Sequence, residues 1–278
     1  MASTLRELFE RKRTGKFKPT TPSKRAEVRY REGLFMLIKG LKQNLQNNIK
    51  AFMTRNPNAS EAQIFEYITQ LVERTRRVDI LKFATATAGI MATLVNRQNK
   101  KQIIDSLQTN SGVNIESLLN DTPVKDKLDE YIAQNVSLIN SIKNDYLTDV
   151  EKQVRDNFLQ NGRVEKLADV LQERYGVAKS RARLIARDQT NKLNAELSQE
   201  RSQSLGLKFY IWQTSHDERV RKTHANMDGL MCRYDDDSVY SDDNGKTWRK
   251  RKSDMPKVKP GIEIQCRCNA VSVFKNDE

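Results

Sequence analysis

From Thr122-Pro123 to Gly162 apolar residues recur every three or four positions: Val124, Leu128, Ile132, Val136, Ile139, Ile142, Tyr146, Val150, Val154 and Phe158. No other feature limits the fold as strongly. This spacing places the whole set on one face of an α-helix, whereas a strand would need alternation with period two. Thr122 before Pro123 supplies an N-cap with proline at the first helical position. A helix this long spans roughly 60 Å at 1.5 Å per residue. It is a strut or the spine of a bundle, and its apolar face needs other helices to cover it. A break near Asp145 is left open.

The flanking segments offer those helices. Val28, Leu34, Ile38, Leu41, Leu45, Ile49 and Phe52 keep the same period, and Asn56-Pro57 ends that run because a residue before proline is pushed out of the α region. Ser60 with Gln63 forms a capping box for a second helix presenting Ile64, Ile68 and Leu71. Helical segments continue to about Asn99, and Gly112 interrupts a shorter piece. Beyond Gly162 two further helices are expected, one closed by Gly176 and one by Gly206 as C′ residues. The chain then changes character. "LKFYIWQT" at 207–214 is aromatic and β-branched, Asn244-Gly245 signals a hairpin, and "CRCNAVSVF" at 266–274 reads as a last strand. The expected fold is therefore α+β: a mainly helical N-terminal region with long helices, then a small α+β module with a few-stranded antiparallel sheet. The expected division is a flexible basic arm at 1–24, a helical region at 25–160 and the module at 161–278.

Charge narrows the partners. The chain carries 49 Lys and Arg against 36 Asp and Glu, a net +13. Residues 1–31 hold ten basic and three acidic residues, so more than half of the excess lies there. Such a balance favours an anionic partner such as double-stranded DNA, or an acidic protein face. Arg11, Lys12, Arg13, Lys16 and Lys18 in the arm, and Arg249, Lys250, Arg251 and Lys252 in "WRKRKSDMPKVK", are candidate phosphate or partner contacts. Such contacts neutralise phosphates without reading bases. Arg181, Arg183 and Arg187 step along one helix in the same way. The first residues carry charge where a secretion signal has an apolar core. The most apolar stretch, "ILKFATATAGIMATLV", is shorter than the ~20 residues of a spanning helix. No membrane partner is expected.

Three cysteines argue against a disulfide framework. Cys266 and Cys268 flank Arg267, and the two histidines, His216 and His224, share the segment "WQTSHDERVRKTHANMDGLMCRY". His224, Cys266 and Cys268 are candidate zinc ligands, with His216, Cys232 or Glu263 as a fourth. The alternative is two small packed cysteines. On a strand Cys266 and Cys268 would share one face and Arg267 the other. The acidic runs at 235–237 and 242–243 read as solvated turns, and phosphate-binding glycine motifs are absent. The expectation is therefore no enzyme and no cofactor. A zinc ion on the His-Cys-Cys set is the open alternative.

Residues from about 145 to 274 resemble the phage head morphogenesis, or minor capsid, family that includes the F protein of phage Mu. The resemblance rests on Arg187 and Asn191 on a helix, then Trp212, Thr214, Asp217, Arg219, Val220, Arg221, His224, Asp228 and Gly229, and a terminal Pro260, Cys266, Arg267 and Cys268. Gln265 stands where asparagine is common, and Gly261 and Glu263 stand near places where many relatives have proline and histidine. The resemblance implies a low-copy virion component made in the host cytoplasm. It further implies association with the portal protein and other capsid components at the portal vertex, and contact with packaged DNA. Asp217, Arg219, Arg221 and Arg267 are expected to form a paired charge network that holds the last strand to the loop after Trp212. The competing readings are a metal-dependent, nuclease-like enzyme and a plain non-specific DNA-binding protein.

Overall fold

The computed structural model describes residues 15–111, 119, 122–159 and 167–275. A two-residue strand, β1 (Gly15–Lys16), precedes α1 (Lys24–Arg55), α2 (Glu61–Arg76), α3 (Leu81–Ser111), α4 (Thr122–Leu159) and α5 (Leu167–Ser204). Then come β2 (Phe209–Gln213), a single-turn α6 (Lys222–Ala225), β3 (Met231–Arg233), β4 (Val239–Tyr240), β5 (Arg249–Lys250) and β6 (Asn269–Phe274). The expected α+β architecture is present: long helices first, then a small antiparallel sheet. No single described helix is long and apolar enough to cross a membrane.

The chain divides into two compact units, and this division cuts across the expected boundary at residue 160. One comprises residues 27–91 and 132–186. Its core is the predicted apolar face: Leu34, Ile38 and Leu45 from α1 and Ile139, Ile142, Tyr146 and Val150 from α4 are buried. The Tyr30 hydroxyl donates to Asn135 Oδ1 at 2.8 Å inside that core. Lys143 donates from Nζ to the carbonyls of Arg76 and Val78, each at 2.9 Å, satisfying acceptors at the end of α2. The Ser60–Gln63 capping box forms as predicted, and α1 ends at Arg55, just before Asn56-Pro57.

Two helix predictions need correction. α4 runs unbroken for 38 residues, with Asp145 paired to Arg181 rather than at a break. α5 is one helix of 38 residues, continuous through Gly176, where two were expected. Glycine costs only about 1 kcal/mol inside a helix, and the apolar contacts of Leu171, Ala182 and Ala186 on either side of Gly176 outweigh it. A Cβ at Gly176 would meet no atom within 4 Å. Gly176→Ala is therefore expected to stabilise the fold by about 0.5–1 kcal/mol. A denaturation midpoint unchanged or lowered in that variant would mean that the helix breaks there.

The second unit takes in residues up to 26, 92–131 and 187 onward. Its four-stranded sheet has the order β1-β6-β2-β3, antiparallel throughout. Phe17, Ile103, Leu107, Leu119, Leu205 and Leu207 form one core, and Tyr210, Trp212, Met227, Cys232, Tyr234, Tyr240, Met255, Cys266 and Cys268 form another. From Gly15 the chain is built into this unit, so residues 15–24 of the expected arm pack here, while residues 1–14 lie outside the described residues. Gly15 and Lys16 pair with β6, and Phe17 donates its N–H to Ser272 O at 3.0 Å. Thr20 bonds Ser198 Oγ at 2.6 Å and Asn194 Nδ2 at 3.1 Å. Beneath it lies a polar layer that the sequence did not announce. Arg201, with no exposed surface, donates to Asn99 Oδ1 at 2.6 Å, and Asn99 donates in turn to Ser198 Oγ at 2.7 Å. β4 and β5 form the predicted hairpin, with Asn244 and Gly245 at φ 58° and 80° at its tip.

Candidate functional site

β2 ends at Gln213 and the chain turns through residues 214–229 before β3. Two interactions shape this loop. Asp228 Oδ1 accepts from the Thr214 N–H at 2.7 Å and the Thr214 hydroxyl at 3.0 Å. Gly229, at φ 78°, donates its N–H to Trp212 O at 2.8 Å, a backbone conformation that favours glycine. The closed loop puts the single-turn α6 over the sheet, with His224 buried beneath it. The His224 ring meets Trp212 edge-on, with centroids 5.5 Å apart.

A second segment, residues 260–268, lies against this loop. Gly261, at φ 87°, comes so close to α5 that a Cβ there would sit 2.4 Å from Ala195 Cβ. Gln199 holds the Pro260 carbonyl at 3.2 Å. Gln265, also left-handed at φ 57°, donates its N–H to Asp188 Oδ1, while its side chain accepts from Arg187 at 2.9 Å. Cys266 and Cys268 stand in this turn, ahead of β6 rather than within it. Even so, the turn aims both sulfurs inward while the side chain of Arg267 goes the other way.

Three potential ligand groups meet there. His224 Nδ1 is 3.5 Å from Cys266 Sγ and 3.4 Å from Cys268 Sγ, and all three residues are buried. On the other side of the ring, Nε2 is 3.0 Å from Glu263 Oε2. Arg221 donates to the same carboxylate oxygen at 3.1 Å and to Ile264 O at 2.6 Å. Cys266 Sγ accepts the N–H groups of Gly261 at 3.3 Å and Cys268 at 3.4 Å. The Cys266 thiol is held well below the usual thiol range, chiefly because the Cys268 thiol donates to it. Burial opposes this shift, and His224 and the two backbone N–H groups add to it. Cys268 is raised by the same partnership, and His224 is raised mainly by its bond to Cys266.

The other fourth-ligand candidates do not join this group. His216 is exposed and lies 3.5 Å from Asp228. Cys232 is buried, and its thiol is pushed up mainly by that burial. Glu263 touches the far nitrogen of the ring and orients it.

The expected charge network forms in part. Arg267 makes a two-pronged pair with Asp217, one contact at 2.7 Å, and Asp217 also accepts the Arg219 N–H at 3.0 Å. This pair ties the 260–268 turn to the loop after β2. Arg221 serves Glu263 instead, and the Arg219 guanidinium reaches Asp217 only at 3.8 Å. Hydrogen bonding from Arg267 holds the Asp217 carboxyl below its ordinary 3.8. A carboxylate depressed in the folded state contributes stability above its unfolded value and loses it as pH falls through the folded one. Asp217→Asn should therefore be less stable than the parent at neutral pH, and the gap should close as pH drops below about 4. Parallel melting curves that keep a constant gap down to pH 3 would contradict this.

Beside the cluster lies a cleft of about 260 Å³ lined by Arg187, Arg219, Arg221, Arg267, His224 and both cysteines, among others. Asn191 sits half-buried one turn beyond Arg187 on α5. Of the basic contact candidates, Arg249, Lys250 and Lys252 are exposed, and Arg249 pairs with Asp242 at 2.6 Å. Arg251 is removed from that set. It donates to the carbonyls of Pro256 at 2.8 Å and Val258 at 3.0 Å, and its guanidinium lies 5.6 Å from the Trp212 ring centroid. Lys18 is exposed, while Arg11, Lys12, Arg13 and the Lys16 side chain lie outside the described residues.

Sequence reasoning missed Asp188 and Gly261, which shape the turn that carries the cysteines. Gly261 could have been found as the one glycine between Pro260 and the C-x-C. Asp188 carried no signal beyond its neighbour Arg187.

The chain is 28% identical over 274 residues to a protein of Haemophilus influenzae described as uncharacterized. The match covers 97% of this chain and 58% of that relative, so the chain spans less than two thirds of the relative's length. No solved structure matches it. Residues 148–271 match the family model described as Phage Mu protein F like protein. That match spans the motif from Arg187 to Cys268, so the likeness to the family lies in the C-terminal half of the chain.

Proposed function

We propose that this protein is a structural head-morphogenesis component of a tailed phage, incorporated at low copy at the portal vertex. The observation that carries this reading is the match of residues 148–271 to the Phage Mu F-like family. The geometry agrees with a structural role. The polar residues of the motif are spent on joining two loops: Asp228 closes one, and the Asp217–Arg267 pair binds it to the other. Catalysis has no part in this reading, and the portal protein is the expected partner.

Purified procapsids and virions of the phage that encodes the chain test the proposal. A few copies per particle, lost when portal is omitted from assembly, are expected. Absence from both particles would end it.

DNA contact is a second reading, favoured by the exposed Arg249, Lys250 and Lys252 at β5. It predicts non-specific binding to duplex DNA that weakens steeply with salt. A flat salt response would exclude it. Plasmid left intact in Mg²⁺ and in Zn²⁺ is the expected outcome against a nuclease, and cleavage would replace the structural reading.

A further inference from the structure

The His224–Cys266–Cys268 cluster has a geometry that a packed pair of cysteines does not require. A single imidazole nitrogen faces both sulfurs, at 3.4 and 3.5 Å. That nitrogen has one lone pair or one proton, so it can make a full hydrogen bond to one sulfur and only a shared, weaker one to both. A tetrahedral ion can serve all three. Zinc–sulfur bonds near 2.3 Å and zinc–nitrogen bonds near 2.0 Å give a tetrahedral N···S edge of about 3.5 Å, close to both observed separations. All three ligand atoms lie within 4.8 Å of one another.

The surroundings point the same way. When the ring is neutral, the Glu263 carboxylate at Nε2 holds the proton there, and the lone pair on Nδ1 then faces the sulfurs. A carboxylate behind the histidine is the usual outer partner of a metal-bound imidazole. Arg221 fixes that carboxylate in turn. The N–H groups of Gly261 and Cys268 aimed at Cys266 Sγ suit a sulfur that carries negative charge.

We propose that His224 Nδ1, Cys266 Sγ and Cys268 Sγ bind one zinc-class divalent ion, with the fourth position facing the arginine-lined cleft. The three described ligands leave one tetrahedral place for water or an anionic oxygen donor. The cleft that borders all three ligand residues also carries Arg187, Arg219, Arg221 and Arg267, a setting that attracts anions. The ion would clamp the loop that carries α6 to the 260–268 turn, beside the Asp217–Arg267 pair. This goes beyond a role in the phage head: metal loading is read on the isolated chain, capsid incorporation on particles.

The test is metal content of the full chain purified without chelator, followed by cobalt titration of the stripped protein. One zinc per chain is expected, falling at least tenfold in the Cys266→Ser/Cys268→Ser double variant. Because that variant can fail to fold, the parent itself must show thiolate-to-cobalt charge-transfer absorption that saturates at one equivalent. Cys232→Ser should leave the band intact. Glu263→Gln, which keeps the side-chain shape, should weaken cobalt affinity by about 10- to 100-fold. A zinc-free chain with no charge-transfer band overturns the proposal. So does a band that survives loss of Cys266 and Cys268, or one that Cys232→Ser abolishes.

Discussion

Trp212→Ala is expected to cost about 3–5 kcal/mol of stability, the range for truncating a large buried aromatic side chain. Trp212 has no exposed surface and is the largest of the fully buried side chains. Three things depend on it. It fills the core shared with Tyr210, Met227, Cys232, Cys266 and Cys268. Its ring backs His224 edge-on. Its face receives the Arg251 guanidinium, an interaction worth about 0.5–2 kcal/mol when desolvated. The measurement is a denaturant midpoint at unchanged slope. Trp212→Phe, which keeps a ring in the cavity, should lose clearly less. An alanine variant within 1 kcal/mol of the parent would show that the loop and the turn are held without this core.

Gly261→Ala should have an effect nearly as large, for a different reason. Its φ of 87° disfavours any side chain, a strain of about 1–2 kcal/mol. The new Cβ would also sit 2.4 Å from Ala195 Cβ, and relief by backbone movement costs about 1–3 kcal/mol. The sum is about 2–5 kcal/mol. The two parts can be separated. Ala195→Gly removes the collision but not the strain, at about 1 kcal/mol for glycine within α5. The double variant should thus be more stable than the two single losses predict. Strict additivity would mean that the turn does not press on α5. Because the Gly261 N–H also serves Cys266 Sγ, movement of this turn should reach the cysteine cluster as well.

The helices were legible because periodicity needs only local sequence. The apolar face from Val124 to Val154 predicted α4 to within a residue of its start, and Ser60 with Gln63 marked where α2 begins. The error at Gly176 has a simple cause: a local preference of about 1 kcal/mol cannot be weighed against burial that the sequence does not display. β1 was illegible because two residues carry no alternation to read. What makes Gly15 and Lys16 a strand is β6, at the far end of the chain. Charge counting misled at Arg251 and missed Arg201, since a count does not say where a guanidinium docks. The site was legible through its motif, and the convergence of His224, Cys266 and Cys268 survived even though the cysteines lie in a turn rather than on the expected strand. Glu263 entered as a fourth ligand and emerged as the partner of the opposite ring nitrogen, a distinction that depends on ring orientation.

The strand order β1-β6-β2-β3 also sets a timetable. β6 is the last of these four strands to leave the ribosome, yet it lies between two of the others. Until it emerges, β1 has no partner, β2 has an unpaired edge, and the turn with Cys266 and Cys268 does not exist. β2 and β3 can pair early as neighbours, but β1 must wait until every other strand of the sheet has been made. Contacts between such distant segments are slow to close. Until β6 appears, this part of the chain therefore carries an open two-strand edge, the kind of surface that invites mispairing. A premature stop before residue 269 would remove one of the two inner strands of the sheet rather than trim its border.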